Sequence, residues 1–253
     1  MSRLQNYWDF RAALNFILGG AGAGLMVVLG FLQAPSPYAI ALSLALIAAG
    51  LGAVWLETGR KLRALHVLFN PSTSWMTRES FAALLLFPLG LGSIFVPAGL
   101  PFAAAAAAAF LYCQARILRA SKGIPAWRAP EIVPLVLATG LAEGAGLCLL
   151  FSRQDLLLAL FSLALIARAL AWNRYRAAVQ SAALEPAGKA LLQVGTAVAL
   201  LLVILATLYA REAALLAAIA AIATGWWLKF ALVRRAAAIQ EFALPRLPVR
   251  GAR

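Results

Sequence analysis

Histidine, cysteine and acidic residues are scarce in this chain. Of 253 residues, one is histidine (His66), two are cysteine and nine are acidic. One histidine excludes a haem b held by two histidines within the chain, and it excludes a His-rich metal site. Cys113 and Cys148 are isolated inside apolar stretches, and no CxxC or CxxCH occurs. They cannot supply the four thiolates of an iron–sulfur cluster, so packed, reduced thiols are expected. No metal site, haem or iron–sulfur cluster is therefore expected on this chain. Low-complexity linkers and a soluble domain are missing too.

Apolar sequence is what the chain has in excess. Hydrophobic residues make up 64% and the mean hydropathy is +0.88, whereas soluble domains are about half apolar. Eight long apolar segments run roughly over 12–33, 37–57, 80–97, 98–115, 131–152, 155–172, 190–210 and 212–233. About 20 apolar residues at 1.5 Å rise cross a bilayer core of about 30 Å. The prediction is an all-α polytopic membrane protein, one membrane domain over 1–253 with eight transmembrane helices. Segment one is long for a signal core, and Asp9, Arg11 and Asn15 crowd its start, so a retained first helix is expected.

Charge assigns the two sides. Of 22 Lys and Arg, 20 fall at the N-terminus, the second, fourth and sixth connections and the C-terminal tail, counted with the helix ends that adjoin them. Arg153 and Arg211 are the two on the other side. Such a split predicts an even number of crossings with both termini cytoplasmic, in the inner (cytoplasmic) membrane of a bacterium or archaeon. The net charge of +13 does not call for nucleic acid, because positive-inside topology accounts for loop cations beside membrane helices.

Connections on the uncharged side are short: Gln33-Ala34-Pro35-Ser36-Pro37, Val96-Pro97-Ala98-Gly99, Ser152-Arg153-Gln154-Asp155 and Ala210-Arg211-Glu212. Those on the charged side are longer and mix Arg, Trp, Pro and polar residues. Long loops in a compact domain usually carry function, so the positive face is the expected working face. Seven alanines at 103–109, Gly20 to Gly24, Gly90 and Gly92, and Gly140, Gly144 and Gly146 point to close helix contacts. No repeat is evident.

Polar groups within membrane helices are costly and become candidates by default. Asn15 lies about one turn inside segment one; it either bonds a neighbouring helix or offers its amide to a quinone carbonyl. Glu57 ends segment two and precedes Arg60, Lys61, Arg63 and His66. Arg60 and Arg63 are expected to reach the interface along their stems. Glu143 is the deepest charge, about 18 Å from Glu131 at helical rise. Arg168 could reach it if segments five and six are antiparallel neighbours; the two form either a structural pair or a proton path. In the second connection Asn70-Pro71 breaks the preceding helix and Ser74 could cap a short new one. Trp75 and Met76 follow at headgroup level. His66 beside this turn is either a structural residue or one that could protonate a quinone.

Three features resemble the membrane-anchor subunits of molybdopterin oxidoreductases, of the polysulfide-reductase and dimethyl-sulfoxide-reductase type often called NrfD-like. One is Trp8-Asp9-Phe10-Arg11-Ala12-Ala13-Leu14-Asn15-Phe16, running into the glycine-rich part of helix one. The second is the stretch from His66 to Glu79, and the third is the eight-helix layout. The resemblance implies a haem-free subunit that holds a quinone, ubiquinone or menaquinone, near a face docked by an iron–sulfur electron-transfer subunit. That partner would exchange electrons with a molybdenum or tungsten catalytic subunit carrying molybdopterin. This chain would then be the membrane subunit of a quinone-linked oxidoreductase, with membrane lipid as its other partner.

Asn15 falls where the polysulfide-reductase type has a histidine, so the proton donor passes to His66, Asp9 or Glu57. Asn15, Arg11, Arg60 and Trp75 would hold the quinone. The charge split puts the docking face in the cytoplasm. The anchor of a phenylacetyl-CoA:acceptor oxidoreductase would fit, since a CoA thioester stays in the cell. Basic loops could instead reflect an acidic iron–sulfur partner. A secondary transporter with a mid-membrane Glu143/Arg168 site is the alternative. Such folds usually carry inverted repeats and broken helices, and Pro88 and Pro134 read as too near helix ends to mark a central break.

Overall fold

The computed structural model describes residues 2–4, 8–33, 35–57, 66–152, 154–209 and 212–241. The described chain is almost wholly helical. Among the described residues, seven helices are long and apolar enough to cross a membrane: α1 (Phe10–Leu29), α2 (Pro37–Glu57), α3 (Trp75–Phe95), α4 (Leu100–Ala120), α6 (Asp155–Ala178), α7 (Glu185–Leu208) and α8 (Ala213–Ala238). Between α4 and α6 stands α5 (Ile132–Cys148), an apolar helix of 17 residues. Large apolar side chains such as Leu85, Phe95, Phe102, Leu163, Leu201 and Leu216 point outward. An outward apolar belt of this kind is what a membrane protein presents to lipid.

Several helices reach further toward the positive face than hydropathy predicts. Ser74 accepts from the Thr77 amide and caps α3 itself, not a short separate helix, so α3 begins five residues before the predicted segment. Likewise α4 runs on to Ala120 and α6 to Ala178, and α7 begins at Glu185. Polar and charged residues in these extra turns hide the helix from a hydropathy window but do not oppose helix formation. Pro88 lies in the interior of α3, and the helix continues through it.

The helices sort into two groups, α1–α4 and α5–α8, joined along α1 and α5. Glycine sets this seam. A Cβ on Gly24 would stand 1.9 Å from the Gly140 carbonyl oxygen, and one on Gly144 would stand 2.0 Å from the Gly24 carbonyl carbon. The two backbones are therefore in contact, as small-residue helix pairs allow. The alanine run serves similarly: Ala103 and Ala107 are fully buried, and a Cβ on Gly30 would meet Ala104 at 2.5 Å.

At the positive face two short strands are paired. Strand β1 (Ser2–Leu4) pairs antiparallel with β2 (Ile239–Glu241). Trp127, on the α4–α5 connection, is fully buried and donates to the Leu232 carbonyl at 3.0 Å. Trp8 packs edge-on against it with ring centres 4.8 Å apart. Two apolar layers result. One, at the positive face, includes Phe16, Trp127, Leu135, Trp172 and Tyr175. The other, toward the uncharged side, includes Leu25, Met26, Leu86, Phe110 and Phe161.

Candidate functional site

Between these two layers lies a row of buried polar side chains. It begins where α1 leaves α-helical register. Residues Asn15–Gly19 form a π turn, and a widened turn can release a carbonyl from the helix ladder. The Asn15 carbonyl accepts from Gln114 Nε2 of α4 at 3.0 Å. Asn15 Nδ2 donates to Glu79 Oε1 of α3 at 3.4 Å. All three side chains are buried, and Asn15 Oδ1 and Gln114 Oε1 have no hydrogen-bond partner among the described residues.

Glycines make room for these groups. A Cβ on Gly19 would stand 2.8 Å from Gln114 Nε2 and 3.2 Å from Asn15 Oδ1. A Cβ on Gly20 would stand 2.6 Å from Lys229 Nζ and 3.2 Å from Gln114 Oε1. The bare backbone at Gly20 is thus where the Gln114 amide and the Lys229 ammonium approach the same point.

Lys229 belongs to α8 and leads into the second half of the row. Its Nζ donates to Glu143 Oε2 at 2.6 Å, with the two side chains 3% and 0% exposed. Glu143 Oε1 has no hydrogen-bond partner among the described residues, and Gly225 backs it, since a Cβ there would stand 2.5 Å away. Arg168 is fully buried and near enough to act on Glu143 through its charge. Its hydrogen bonds go to backbone, to the Ala221 carbonyl at 2.8 Å and to the Gly195 carbonyl. Gly195 sits in a second π turn, Gln193–Val198 of α7. Both widened turns therefore present a carbonyl to a buried donor.

The predicted partnership of Glu143 with Arg168 is corrected by this geometry. The acid's ion-pair partner is Lys229, and Arg168 is bonded to carbonyls. In the sequence Lys229 stands four residues before Val233, where the last apolar segment ends, and so falls with the cations of the positive side. In the structure Arg234 and Arg235 continue α8 in a third π turn, Ala231–Arg235, which leaves Lys229 well inside. Counted from the helix ends at 1.5 Å per residue, Glu79, Asn15 and Gln114 lie about 6–9 Å deep, and Lys229 and Glu143 about 14–17 Å.

The other predicted residues stand nearer the face. Asp9 caps α1, accepting from the Arg11 amide at 2.7 Å and the Ala12 amide at 3.3 Å. Arg11 NH1 donates to the Leu56 carbonyl at 3.2 Å, which ties the start of α1 to the end of α2. His66 is exposed and lies edge-on to Phe69 at 5.6 Å. Trp75 is half-buried, with the guanidinium groups of Arg78 and Arg116 at 4.1 and 4.2 Å from its ring centre and Tyr112 edge-on at 5.8 Å. Thr77 Oγ1 donates to the Val67 carbonyl and holds this connection against α3. The Glu57 side chain and Arg60 lie outside the described residues, as do Lys61, Arg63, Arg153 and Arg211. Among the described residues no three of His, Cys, Asp and Glu gather as a metal site would need.

Glu79, Gln114 and Lys229 are the members that sequence reasoning missed. Glu79 reads as the end of a loop; Ser74 as the cap of a long helix would have put it one turn inside. Gln114 is legible as a lone amide in segment four. Comparison with protein-family models and with curated proteins found no match.

Proposed function

We propose that this chain is the quinone-exchanging membrane anchor of a molybdenum or tungsten–iron–sulfur oxidoreductase. It has eight crossings, with α5 as the eighth, and both termini in the cytoplasm. An iron–sulfur electron-transfer subunit docks on the positive face, and the molybdopterin catalytic subunit binds beyond it. A cytosolic substrate such as a CoA thioester suits that side. The resemblance of the Trp8–Phe16 and His66–Glu79 stretches to NrfD-like anchors supports this reading.

The observation that carries it is the buried Asn15–Glu79 contact one turn inside the positive face. The quinone supplies two-electron, two-proton chemistry. A quinol hydroxyl needs an acceptor and a carboxylate to take its proton; Asn15 Oδ1, which has no hydrogen-bond partner among the described residues, and Glu79 are these two groups. Glu79 therefore replaces Asp9 as the acid nearest Asn15, because the Asp9 carboxylate is engaged as a helix cap. Trp75 stands beside the site with the guanidinium groups of Arg78 and Arg116 packed over its ring.

Asn15→Leu in the intact complex tests the reading. Losing one hydrogen bond costs about 0.5–1.5 kcal/mol, or roughly 2–13-fold in quinone turnover. Electron transfer from substrate to a soluble dye should stay near normal. Unchanged quinone turnover, or an equal fall in both activities, would overturn it. A secondary transporter is the second reading, favoured by the Lys229–Glu143 pair buried between helices of the second group. Purification decides between them: an anchor brings iron–sulfur and molybdopterin subunits with it, and a transporter comes alone.

A further inference from the structure

The polar row has a shallow end near the positive face and a deep end. Glu79 is one turn from Trp75, beneath the connection that Thr77 and Arg78 pin down. From Glu79 the row passes through Asn15 and Gln114, crosses Gly20 to Lys229, and ends at Glu143 beside Arg168. Beyond it, toward the uncharged side, Ala23, Leu25, Leu86, Phe110 and Ala145 are fully buried, and the buried Ser43 and Ser93 hydroxyls donate to the Gly22 and Gly90 carbonyls. Among the described residues, no buried carboxyl, amine or guanidinium group continues the row on that side.

Four buried atoms along the row lack a hydrogen-bond partner among the described residues: Asn15 Oδ1, Gln114 Oε1, Glu143 Oε1 and Arg168 Nε. Buried polar atoms are nearly always satisfied, and water satisfies them where protein does not. Two of the four have a further use. Gln114 Oε1 and Lys229 Nζ both border the point that a Gly20 Cβ would occupy, at 3.2 and 2.6 Å from it, so the open acceptor and the ammonium share that space. Glu143 Oε1 is an open position for a proton.

We infer that Glu143 is a proton-loading site filled from the positive face through Glu79, with Lys229 switching between Glu143 and Gln114. A proton leaves the Glu79 carboxyl and passes along water bonded to Asn15 Oδ1 and Gln114 Oε1. It forms an O–H bond at Glu143. Glu79 is left as a carboxylate and regains a proton from the aqueous face. Lys229 keeps its charge and shifts its donated hydrogen bond from Glu143 Oε2 to Gln114 Oε1. No electron moves, and the net change is one proton taken into the membrane. The charged groups facing Glu143 are Lys229 and Arg168. Glu79 faces the neutral amides of Asn15 and Gln114, and the charged groups near Cys113 beside it are Glu79 itself, Arg78 and Arg116. The inference goes beyond the quinone reading and holds with or without a bound quinone.

The full chain in liposomes, adsorbed on a capacitive supported membrane and given a pH drop at the positive face, tests it. A proton that moves part-way into the membrane produces a transient current that decays while the pH step is held. The return step should produce the opposite transient. Glu143→Gln should abolish it. Glu79→Gln keeps an acceptor for Asn15 and should also abolish it, which serves if the Glu143 variant fails to fold. Gly20→Ala, whose Cβ would press on Lys229 Nζ, should slow it. A transient unchanged in either glutamate variant, or absent from the wild type, would overturn the inference. So would a sustained current, because the row would then be a through-path.

Discussion

The two ends of the polar row hold their carboxyl groups by different means. Glu79 has only neutral hydrogen-bond partners among the side chains of the row, with Asn15 donating from α1. Glu143 is held by an ammonium at 2.6 Å and sits in the field of a second cation. The first end lies about 6–9 Å inside the positive face and the second about 14–17 Å. Depth explains the difference. A charge far from water needs a compensating charge, whereas one near the interface can be served by amides and neighbouring water. The shallow end is suited to exchange, and the deep end to retention.

The largest test of that contrast is Lys229→Leu. Removing one partner of a buried ion pair should cost about 3–5 kcal/mol. Thermal unfolding in detergent, followed by dye labelling of the buried Cys113 and Cys148, measures it. Lys229→Leu combined with Glu143→Leu should recover most of the loss, since an apolar pair of similar volume is often neutral or better. No recovery would mean that the pair is not what balances Glu143.

An intermediate effect is expected at the seam between the two groups. Gly144→Val places a side chain where the Gly24 backbone stands. Overpacking should cost about 1–3 kcal/mol by the same assay. A smaller loss would mean that the groups can separate without disturbing the row. Glu79→Gln should be the mildest, within about 0.5–1.5 kcal/mol, because the amide oxygen can still accept from Asn15. A loss as large as that of Lys229→Leu would erase the distinction between exchange and retention.

Much of the architecture is legible in the sequence, and the polar row is legible only in pieces. Hydropathy locates the long apolar helices, and the glycines at 20–24 and 140–146 point to the close contact they make. The tetrapeptide Gly-Ala-Gly-Leu occurs on both sides of that seam, at 22–25 and 144–147, a pairing that becomes visible only once the two helices are seen together. Asn15, Glu143 and Arg168 stand out because each interrupts an apolar run. Lys229 does not, because a cation near a helix end is usually drawn to the interface. The helix end itself is hidden from hydropathy: Arg234 and Arg235 lie in a widened turn that extends α8 past Phe230. Pairing is beyond reach for a simpler reason. Chain order favours Arg168 as the partner of Glu143, because α6 follows α5 directly. Lys229 comes from α8, and chain order does not give contact in a bundle.

The Lys229–Glu143 bond joins residues 86 positions apart in the chain. Ribosomes add roughly 5–20 residues per second, so the glutamate is made about 4–17 s before its lysine. During that interval α5 carries an acid whose counter-charge does not yet exist. The translocation machinery has to shelter α5, or admit it with the acid neutral, until α8 arrives. A helix made later is thus the one that permits an earlier helix to settle, and a chain truncated before α8 should leave α5 poorly inserted.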